Sequence, residues 1–208
     1  MSKASHAVIL DDHQLFVDSF SLLLEKYKLF GQIHSFYATD DLTDFLIQWG
    51  RKEIYIFLDY YLREKNGLSL VPEIKRLNKN AHIIFVTSAM SPTVLQNILL
   101  SKPHAVISKS CDLATLFECI KHVGEKEPFL DVHIRKILEE QVEKVTNFTP
   151  RELELLGYFA KGMSIAETAD RISLSKHTII THRRKMMAKS NCHSIGQLVK
   201  YAQDHELI

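Results

Sequence analysis

The sequence of 208 residues lacks the cysteine patterns and long apolar segments that are typical of secreted, membrane-spanning or cysteine-ligated metal-binding proteins. Its three cysteines, Cys111, Cys119 and Cys192, lack metal-ligand spacing and are odd in number, which argues against a disulfide framework and favours reduced thiols. No segment approaches the ~20 consecutive apolar residues that a membrane helix needs. No apolar stretch of the kind found in signal peptides precedes the first charged residues. We therefore expect a cytoplasmic protein that makes no membrane contact.

The chain also lacks an overall excess of charge of either sign. Its formal net charge is +1, from 26 basic and 25 acidic residues. The charge is unevenly distributed, however: it is zero over residues 1–124, −2 over residues 125–145 and +3 over residues 146–208. Contacts with nucleic acid are therefore expected in the C-terminal part of the chain, which also carries four histidines.

Over its first 124 residues the chain alternates short apolar runs with segments of helical period, which is typical of βαβ units around a parallel sheet. The apolar runs predict five strands, at residues 7–10, 33–38, 55–58, 82–86 and 105–108. The segments of helical period are residues 15–26, 42–49, 68–77, 93–100 and 113–123. Connection rules then predict an α/β fold, with a five-stranded parallel sheet and helices on both faces.

Polar side chains follow four of the five predicted strands. Asp11 and Asp12 end the first strand, Asp59 the third, Thr87 and Ser88 the fourth, and Lys109 the fifth. Ligands of open parallel sheets bind at the carboxyl ends of the strands. We therefore expect these side chains to gather in one site.

Three carboxylates beside an ammonium and a hydroxyl suit phosphoryl transfer assisted by a divalent cation. Mg²⁺ prefers oxygen ligands and typically takes one or two carboxylates, here Asp11 and Asp12. Asp59 is then the nucleophile toward phosphorus, forming an aspartyl phosphate. Lys109 supplies a positive charge for the phosphoryl oxygens, and Thr87 supplies a hydroxyl. A lone aspartate after a strand is more often a turn former, so this interpretation depends on the joint placement of all five residues.

After residue 124 the pattern changes from alternating strands and helices to helices alone. Residues 125–145 predict a break followed by a polar linker of helical character, and residues 146–208 a small all-α domain of four helices. Three capping-box sequences mark helix starts: TPRE at Thr149–Glu152, SIAE at Ser164–Glu167 and SIGQ at Ser194–Gln197. Ser175 is placed to cap the remaining helix. Residues 1–124 form the other predicted domain.

The helix predicted from Lys176 to Lys189 has the layout of a DNA recognition helix. Ile179 and Met186 share one face and should pack inward. The residues predicted to contact DNA are Lys176, His177, Ile180, Thr181, His182, Arg183, Arg184, Lys185 and Lys189. Arginine suits guanine and threonine a thymine methyl, whereas the flanking basic residues suit phosphates. On charge alone, a basic face exposed to solvent is the alternative interpretation.

The last predicted helix carries an apolar stripe formed by Ile195, Leu198, Val199 and Ala202. Part of this stripe must cover the domain core. The remainder is a candidate two-fold interface that would place two recognition helices on a pseudo-palindromic site. Core packing alone and dimerisation are both open at this point.

These residues together resemble those of a two-component response regulator with an N-terminal receiver domain and a C-terminal LuxR/NarL-type helix-turn-helix domain. The receiver resemblance covers residues 7–123 and rests on the motifs ILDDH, IFLDYYL, NGL, FVTS and VISK. The C-terminal resemblance covers residues 148–208 and rests on FTPRELELL, KGMS and ISLSKHTIITH.

The resemblance implies a flavodoxin-like (βα)5 receiver that binds Mg²⁺ and is phosphorylated on Asp59 by a sensor histidine kinase. The residues that match the family's site are Asp11, Asp12 and Asp59 for the metal, the backbone carbonyl of Tyr61 as a further metal ligand, Thr87 as the switch hydroxyl, Lys109 as the lysine, and Gly67 as the glycine after the phosphoacceptor loop. It further implies binding to double-stranded promoter DNA as a homodimer. Enzymatic activity beyond slow loss of its own phosphoryl group is not expected.

Five positions depart from the family pattern. Arg63 stands where proline is common, Ser88 replaces a small alanine or glycine beside the site, and Val106 replaces an aromatic residue that rotates on activation. Ala166 and Ile180 fall where lysine is frequent. The departures in the receiver motivate a second hypothesis, a DNA-binding or protein-interaction regulator that ignores phosphate. A hydrolase with an aspartate nucleophile is a third, but such enzymes need an acid two residues after the nucleophile, where this chain has tyrosine.

Overall fold

A computed structural model describes residues 6–63, 66–140 and 148–208 of the protein. The strands are β1 (His6–Leu10), β2 (Gln32–Phe36), β3 (Ile54–Leu58), β4 (Ala81–Thr87), β5 (Ala105–Ser108) and β6 (Phe129–Leu130). The helices that alternate with them are α1 (Gln14–Lys26), α2 (Thr39–Trp49), α3 (Gly67–Leu77), α4 (Pro92–Leu100) and α5 (Leu113–His122). They are followed by α6 (Val132–Glu140), α7 (Pro150–Ala160), α8 (Ile165–Arg171), α9 (Lys176–Lys189) and α10 (Ile195–Asp204).

The strands form one parallel sheet in the order β2-β1-β3-β4-β5-β6. Its central strands are continuous apolar runs, as expected for strands covered on both faces, and all five residues of β3 are buried. The chain leaves β1 toward β2 on one side and returns to β3 on the other. Strand order therefore reverses between β1 and β3, and a crevice at their carboxyl ends is where such folds bind ligands.

The prediction of a five-stranded sheet is wrong, because β6 adds a sixth strand beside β5. The N–H of Phe129 donates to the carbonyl of His104 at 3.0 Å, and the N–H of Asp131 donates to that of Val106 at 3.1 Å. A strand of two residues is too short to show a periodic pattern. Its sequence therefore reads only as the break before a helix, and the helix α6 does follow it.

Local capping explains where the later helices begin. Thr149 and Ser164 form capping boxes with Glu152 and Glu167, so two of the three predicted boxes are confirmed. The Ser194 side chain also accepts the N–H of Gln197. The predicted box is not completed there, because the Gln197 side chain accepts the N–H of His193, one residue before the cap.

Contacts divide the chain into two compact units. The first comprises Met1–Ser88 and Lys102–Lys136, and the second comprises Ala89–Ser101 and Ile137–Ile208. Helix α4 thus belongs to the second unit, where the Asn97 side chain accepts the N–H of Phe148 at 2.9 Å. None of the helices among the described residues combines the length and apolarity required to cross a bilayer.

Candidate functional site

The sheet brings the residues predicted for phosphoryl transfer to the carboxyl ends of adjacent strands. Backbone bonds hold them there: the Asp59 N–H donates to the carbonyl of Leu10 at 3.0 Å, and the Lys109 N–H donates to that of Thr87 at 2.9 Å. These bonds continue the parallel ladder by one residue past β3 and β5. Asp11, Asp59 and Thr87 are at most 2 % exposed, so the groups form a pocket rather than a surface patch.

Lys109 joins two of the three carboxylates. Its ammonium Nζ lies 2.6 Å from Asp11 Oδ2 and 2.9 Å from Asp59 Oδ2. The other oxygen of Asp59, Oδ1, accepts the N–H of Tyr60 at 2.7 Å. The ammonium also lies 4.9 Å from the centre of the Phe16 ring. Asp59 is therefore fixed at both oxygens by groups that donate hydrogen bonds.

The electrostatics of the pocket raise the pKa of Asp59 toward the physiological range, although the carboxylate form still predominates at neutral pH. Burial and the nearby Asp11 carboxylate raise the pKa of Asp59 from 3.8 to about 6, although Lys109 and the Tyr60 N–H oppose this shift. Burial alone would lower the pKa of Lys109, but its hydrogen bonds to Asp11 and Asp59 raise it. Lys109 is thus charged and provides a fixed cation beside the candidate nucleophile.

Two further side chains reach the acidic pair, and the prediction from sequence did not assign them to the site. The Nδ1 atom of His13 lies 3.0 Å from Asp11 Oδ1 and 3.4 Å from Asp12 Oδ1. The Nε atom of Arg63 lies 3.3 Å from Asp12 Oδ2. His13 follows the acidic pair directly in the chain, which was a usable signal. Arg63 carried none, because its contact depends on how the loop after β3 folds back.

The donor set at this site fits a hard divalent cation. Ligand atoms of Asp11, Asp12, His13 and Asp59 lie within 4.8 Å of one another. Asp12 Oδ1 is buried and has no hydrogen-bond partner among the described residues. Carboxylate oxygens are what Mg²⁺ prefers, and a bound cation would remove the repulsion between neighbouring carboxylates. Tyr61, the predicted carbonyl ligand, pairs with Asn66 in a single antiparallel β-bridge.

Glycine is required at position 67 because α3 begins close to the backbone of Asp59. A Cβ atom added at Gly67 would lie 2.1 Å from the carbonyl oxygen of Asp59 and 3.2 Å from Leu58 Cγ. The N–H of Gly67 donates to the carbonyl of Tyr60 at 2.8 Å. Only a residue without a side chain allows the first turn of α3 to lie against the backbone of Asp59.

In the C-terminal helices, α9 carries most of its predicted DNA contacts on an exposed face. Ile179 and Met186 are fully buried, as predicted. The exposed side chains of α9 among those predicted to contact DNA are Lys176, His177, Thr181, Arg184, Lys185 and Lys189, and the half-buried ones are Ile180, His182 and Arg183. Several cations and a hydroxyl therefore share one outer surface, as major-groove recognition requires.

One predicted DNA contact has a partner inside the protein. Lys189 Nζ lies 2.6 Å from Glu152 Oε2, and Glu152 is only 3 % exposed. This ion pair joins the last turn of α9 to the capping box of α7. Lys189 therefore has a structural role, in addition to whatever contact it makes with phosphate.

The stripe predicted for dimerisation is divided by its burial. Leu198 and Ala202 are fully buried, so they belong to the core of the helical unit. Ile195 and Val199 are half-buried. Only these two retain surface that a second copy of the chain can cover.

Comparison with known families gives two matches that account for most of the chain. The family described as "Response regulator receiver domain" matches residues 7–121, and "Bacterial regulatory proteins, luxR family" matches residues 146–202. The Fimbriae Z protein of Salmonella typhimurium (strain LT2) is 26 % identical over 212 residues, which are 99 % of this chain and 100 % of the relative. The response regulator protein VraR of Staphylococcus saprophyticus is 25 % identical over 157 residues, 74 % of this chain and 75 % of the relative.

Solved structures share the fold. RcsB from Salmonella enterica serovar Typhimurium, bound to promoter rprA in the presence of the phosphomimetic BeF3⁻, superposes with a TM-score of 0.72 at 21 % sequence identity. The match covers 96 % of this chain and 98 % of RcsB. A structure of two RcsB dimers bound to two parallel DNAs gives a TM-score of 0.61, also at 21 % identity, with the same coverage.

Proposed function

Because the chain belongs to the response regulators that join a receiver domain to a LuxR-family DNA-binding domain, we propose that phosphorylation of Asp59 controls its binding to DNA. The phosphodonor is a sensor histidine kinase, and the target is double-stranded promoter DNA in the cytoplasm. The observation that carries the proposal is the position of Lys109, whose ammonium contacts both Asp11 and Asp59 at the carboxyl edge of the sheet. That arrangement leaves one nucleophile, one cation and an acidic pair in a single pocket.

The proposed reaction transfers a phosphoryl group from the kinase histidine to Asp59. A carboxylate oxygen of Asp59 attacks the phosphorus atom, the P–N bond to the kinase histidine breaks, and the imidazole leaves with the electron pair. Lys109 stabilises the negative charge of the phosphoryl oxygens, and Thr87 at the end of β4 supplies a hydroxyl. Asp11, Asp12 and the Tyr61 carbonyl would hold Mg²⁺, which supplies positive charge to the transferring group when bound.

The ionisation state of Asp59 explains why phosphoryl transfer in this pocket would depend on a bound cation. A carboxylic acid is a poor nucleophile, and burial beside Asp11 raises the pKa of Asp59 to about 6. Positive charge near Asp11 and Asp12 cancels part of the repulsion that raises this pKa, so it favours the carboxylate form. The protein's own contribution is to keep Asp59 oriented by Lys109 and by the Tyr60 N–H.

The helix-turn-helix formed by α8 and α9 is the DNA-binding element in this proposal. In this proposal α9 enters the major groove, Arg184 and Thr181 contact base edges, and Arg183 and Lys185 contact phosphates. A homodimer on DNA, with Ile195 and Val199 at the two-fold interface, would place two copies of α9 on successive half-sites. Phosphorylation favours this DNA-binding form by shifting the population between two states of the receiver.

The proposal is tested by incubating the chain with acetyl phosphate and Mg²⁺. We expect an acid-labile label of one phosphoryl group per chain, none on the Asp59→Ala variant, and tighter operator binding by the labelled protein in a gel-shift assay. Asp41→Ala, which removes an exposed acid from the first turn of α2, is the matched control and should be labelled like the wild type. No label on the wild type, or an equal label on Asp59→Ala, would refute the proposal.

A second candidate function is a regulator that binds DNA without using phosphate. It is favoured by Val106, which is fully buried in β5 at the position of the family's rotating aromatic side chain. A short branched side chain in a strand cannot make that rotation. Comparing wild type with Asp59→Asn in the same gel shift decides between the two functions. Identical binding with and without phosphodonor would favour the second.

A further inference from the structure

The carboxylates of the pocket are not neutralised by the same cation. Lys109 lies between Asp11 and Asp59, at 2.6 and 2.9 Å from their oxygens. Asp12 instead pairs with Arg63, at 3.3 Å between Asp12 Oδ2 and Arg63 Nε. The three carboxylates and two cations leave a formal charge of −1, whereas the same pocket without Arg63 would carry −2. Arg63 thus halves the formal negative charge that a divalent cation would meet.

The exposed position of Arg63 allows its side chain either to remain paired with Asp12 or to move into solvent. Its side chain is 81 % exposed, whereas that of Asp12 is only 16 % exposed. The guanidinium therefore lies over a mostly buried carboxylate from the solvent side. It also lines, with Asp12 and Thr39, a cavity of about 270 Å³. Because an exposed ion pair is weak, a stronger cation can displace this one without disturbing the fold.

We propose that Arg63 is the resident counter-ion of Asp12 and competes with the divalent cation for that carboxylate. In the metal-free protein it occupies Asp12 Oδ2, and on metal binding it swings into solvent. Arg63 is thus a positioning residue that sets the divalent concentration at which Asp59 becomes reactive. This inference rests on the proposed function, because the metal site concerned is the one that serves phosphoryl transfer to Asp59.

The size of the effect follows from two contributions that act in the same direction. A dication at Asp12 competes with Arg63 for the charge of that carboxylate, and the positive charge of Arg63 repels the incoming dication. Both act through a solvent-exposed region of high dielectric, so we expect removal of the Arg63 charge to tighten divalent binding by about three- to tenfold. The gain should shrink at high ionic strength, since salt screens exposed charges with a Debye length of about 3 Å at 1 M.

Isothermal titration of the full chain with MgCl₂, and separately with MnCl₂, measures this affinity without any phosphodonor. Arg63→Met removes the charge and keeps an unbranched side chain, whereas Arg63→Lys keeps the charge. Arg76→Met is the matched control, because it removes another largely exposed arginine, which pairs with Glu73 in the last turn of α3. Arg76 lies nine residues after Gly67, or about 14 Å along the helix.

We expect Arg63→Met to bind both cations about three- to tenfold more tightly than wild type, with Arg76→Met unchanged and Arg63→Lys closer to wild type. An unchanged dissociation constant for Arg63→Met beside a wild type that binds Mg²⁺ would overturn this inference alone. Equal tightening by Arg76→Met would also overturn it, as a general charge effect. Failure of wild type and Arg63→Met to bind either cation would overturn both the inference and the metal site of the proposed function.

Discussion

Replacing Gly67 by alanine tests whether the close contact between α3 and the backbone of Asp59 is required for the proposed phosphorylation. The new Cβ would lie 2.1 Å from the carbonyl oxygen of Asp59. Carbon and oxygen atoms that are not bonded normally approach no closer than about 3.3 Å, so one of the two backbone segments must move by about 1 Å. The segment in contact is the backbone of the proposed nucleophile Asp59, and α3 is anchored by its own buried residues Leu68, Leu70 and Val71.

The magnitude has a structural and a chemical part. Overpacking of this kind typically costs about 1–3 kcal/mol of unfolding free energy. With a urea m value of about 2 kcal/mol per M, the unfolding midpoint should fall by about 0.5–1.5 M. A displacement of about 1 Å at reacting groups costs about 100-fold in rate. We therefore expect labelling by acetyl phosphate to slow by about 100-fold, well beyond the loss of folded protein.

The assay compares labelling rate and urea midpoint for wild type, Gly67→Ala and Gly157→Ala. Gly157 lies inside α7, and a Cβ added there meets nothing within 4 Å. Alanine at this position should stabilise the protein by about 0.5–1 kcal/mol and leave the labelling rate unchanged. A Gly67→Ala variant with a wild-type labelling rate would show that the contact does not position Asp59, and the reasoning from it would be refuted.

Two other predictions concern the charge of Asp59 and the helix α9. In EDTA, burial raises the pKa of Asp59 to about 6, so its protonation contributes stability that is fully present below about pH 4 and lost as the pH rises through 6. Asp59→Asn should therefore be more stable than wild type by about 3 kcal/mol at pH 8 but not at pH 4, and equal urea midpoints at pH 8 would contradict this. On DNA, Arg184→Ala should cost about 1–3 kcal/mol and relax base preference, whereas Arg183→Ala should weaken all sequences alike. Quantitative gel shifts over a series of salt concentrations measure both, and an affinity indifferent to both changes would contradict the assignment of α9.

The sequence alone was sufficient to predict the strand-end residues of the candidate pocket. Asp11, Asp59, Thr87 and Lys109 each end a strand or follow one directly, and parallel strands present their carboxyl ends at one edge. Once the alternation of strands and helices is recognised, the four side chains must lie close together. The helix starts at Thr149, Ser164 and Ser175 could also be predicted from the sequence, because a capping hydrogen bond joins residues only three positions apart.

The tertiary structure decided which long-range partners each side chain has. The ion pair between Arg63 and Asp12, the burial of Glu152 against Lys189, and the strand β6 beside β5 all join residues far apart in the chain. The division of the apolar stripe on α10 into buried and half-buried residues depends in the same way on neighbouring helices. A local pattern specifies backbone conformation and periodicity, which extend over a few residues. It does not specify the distance between two segments that packing brings together. That distance determines which charged side chains pair and at which position only glycine fits.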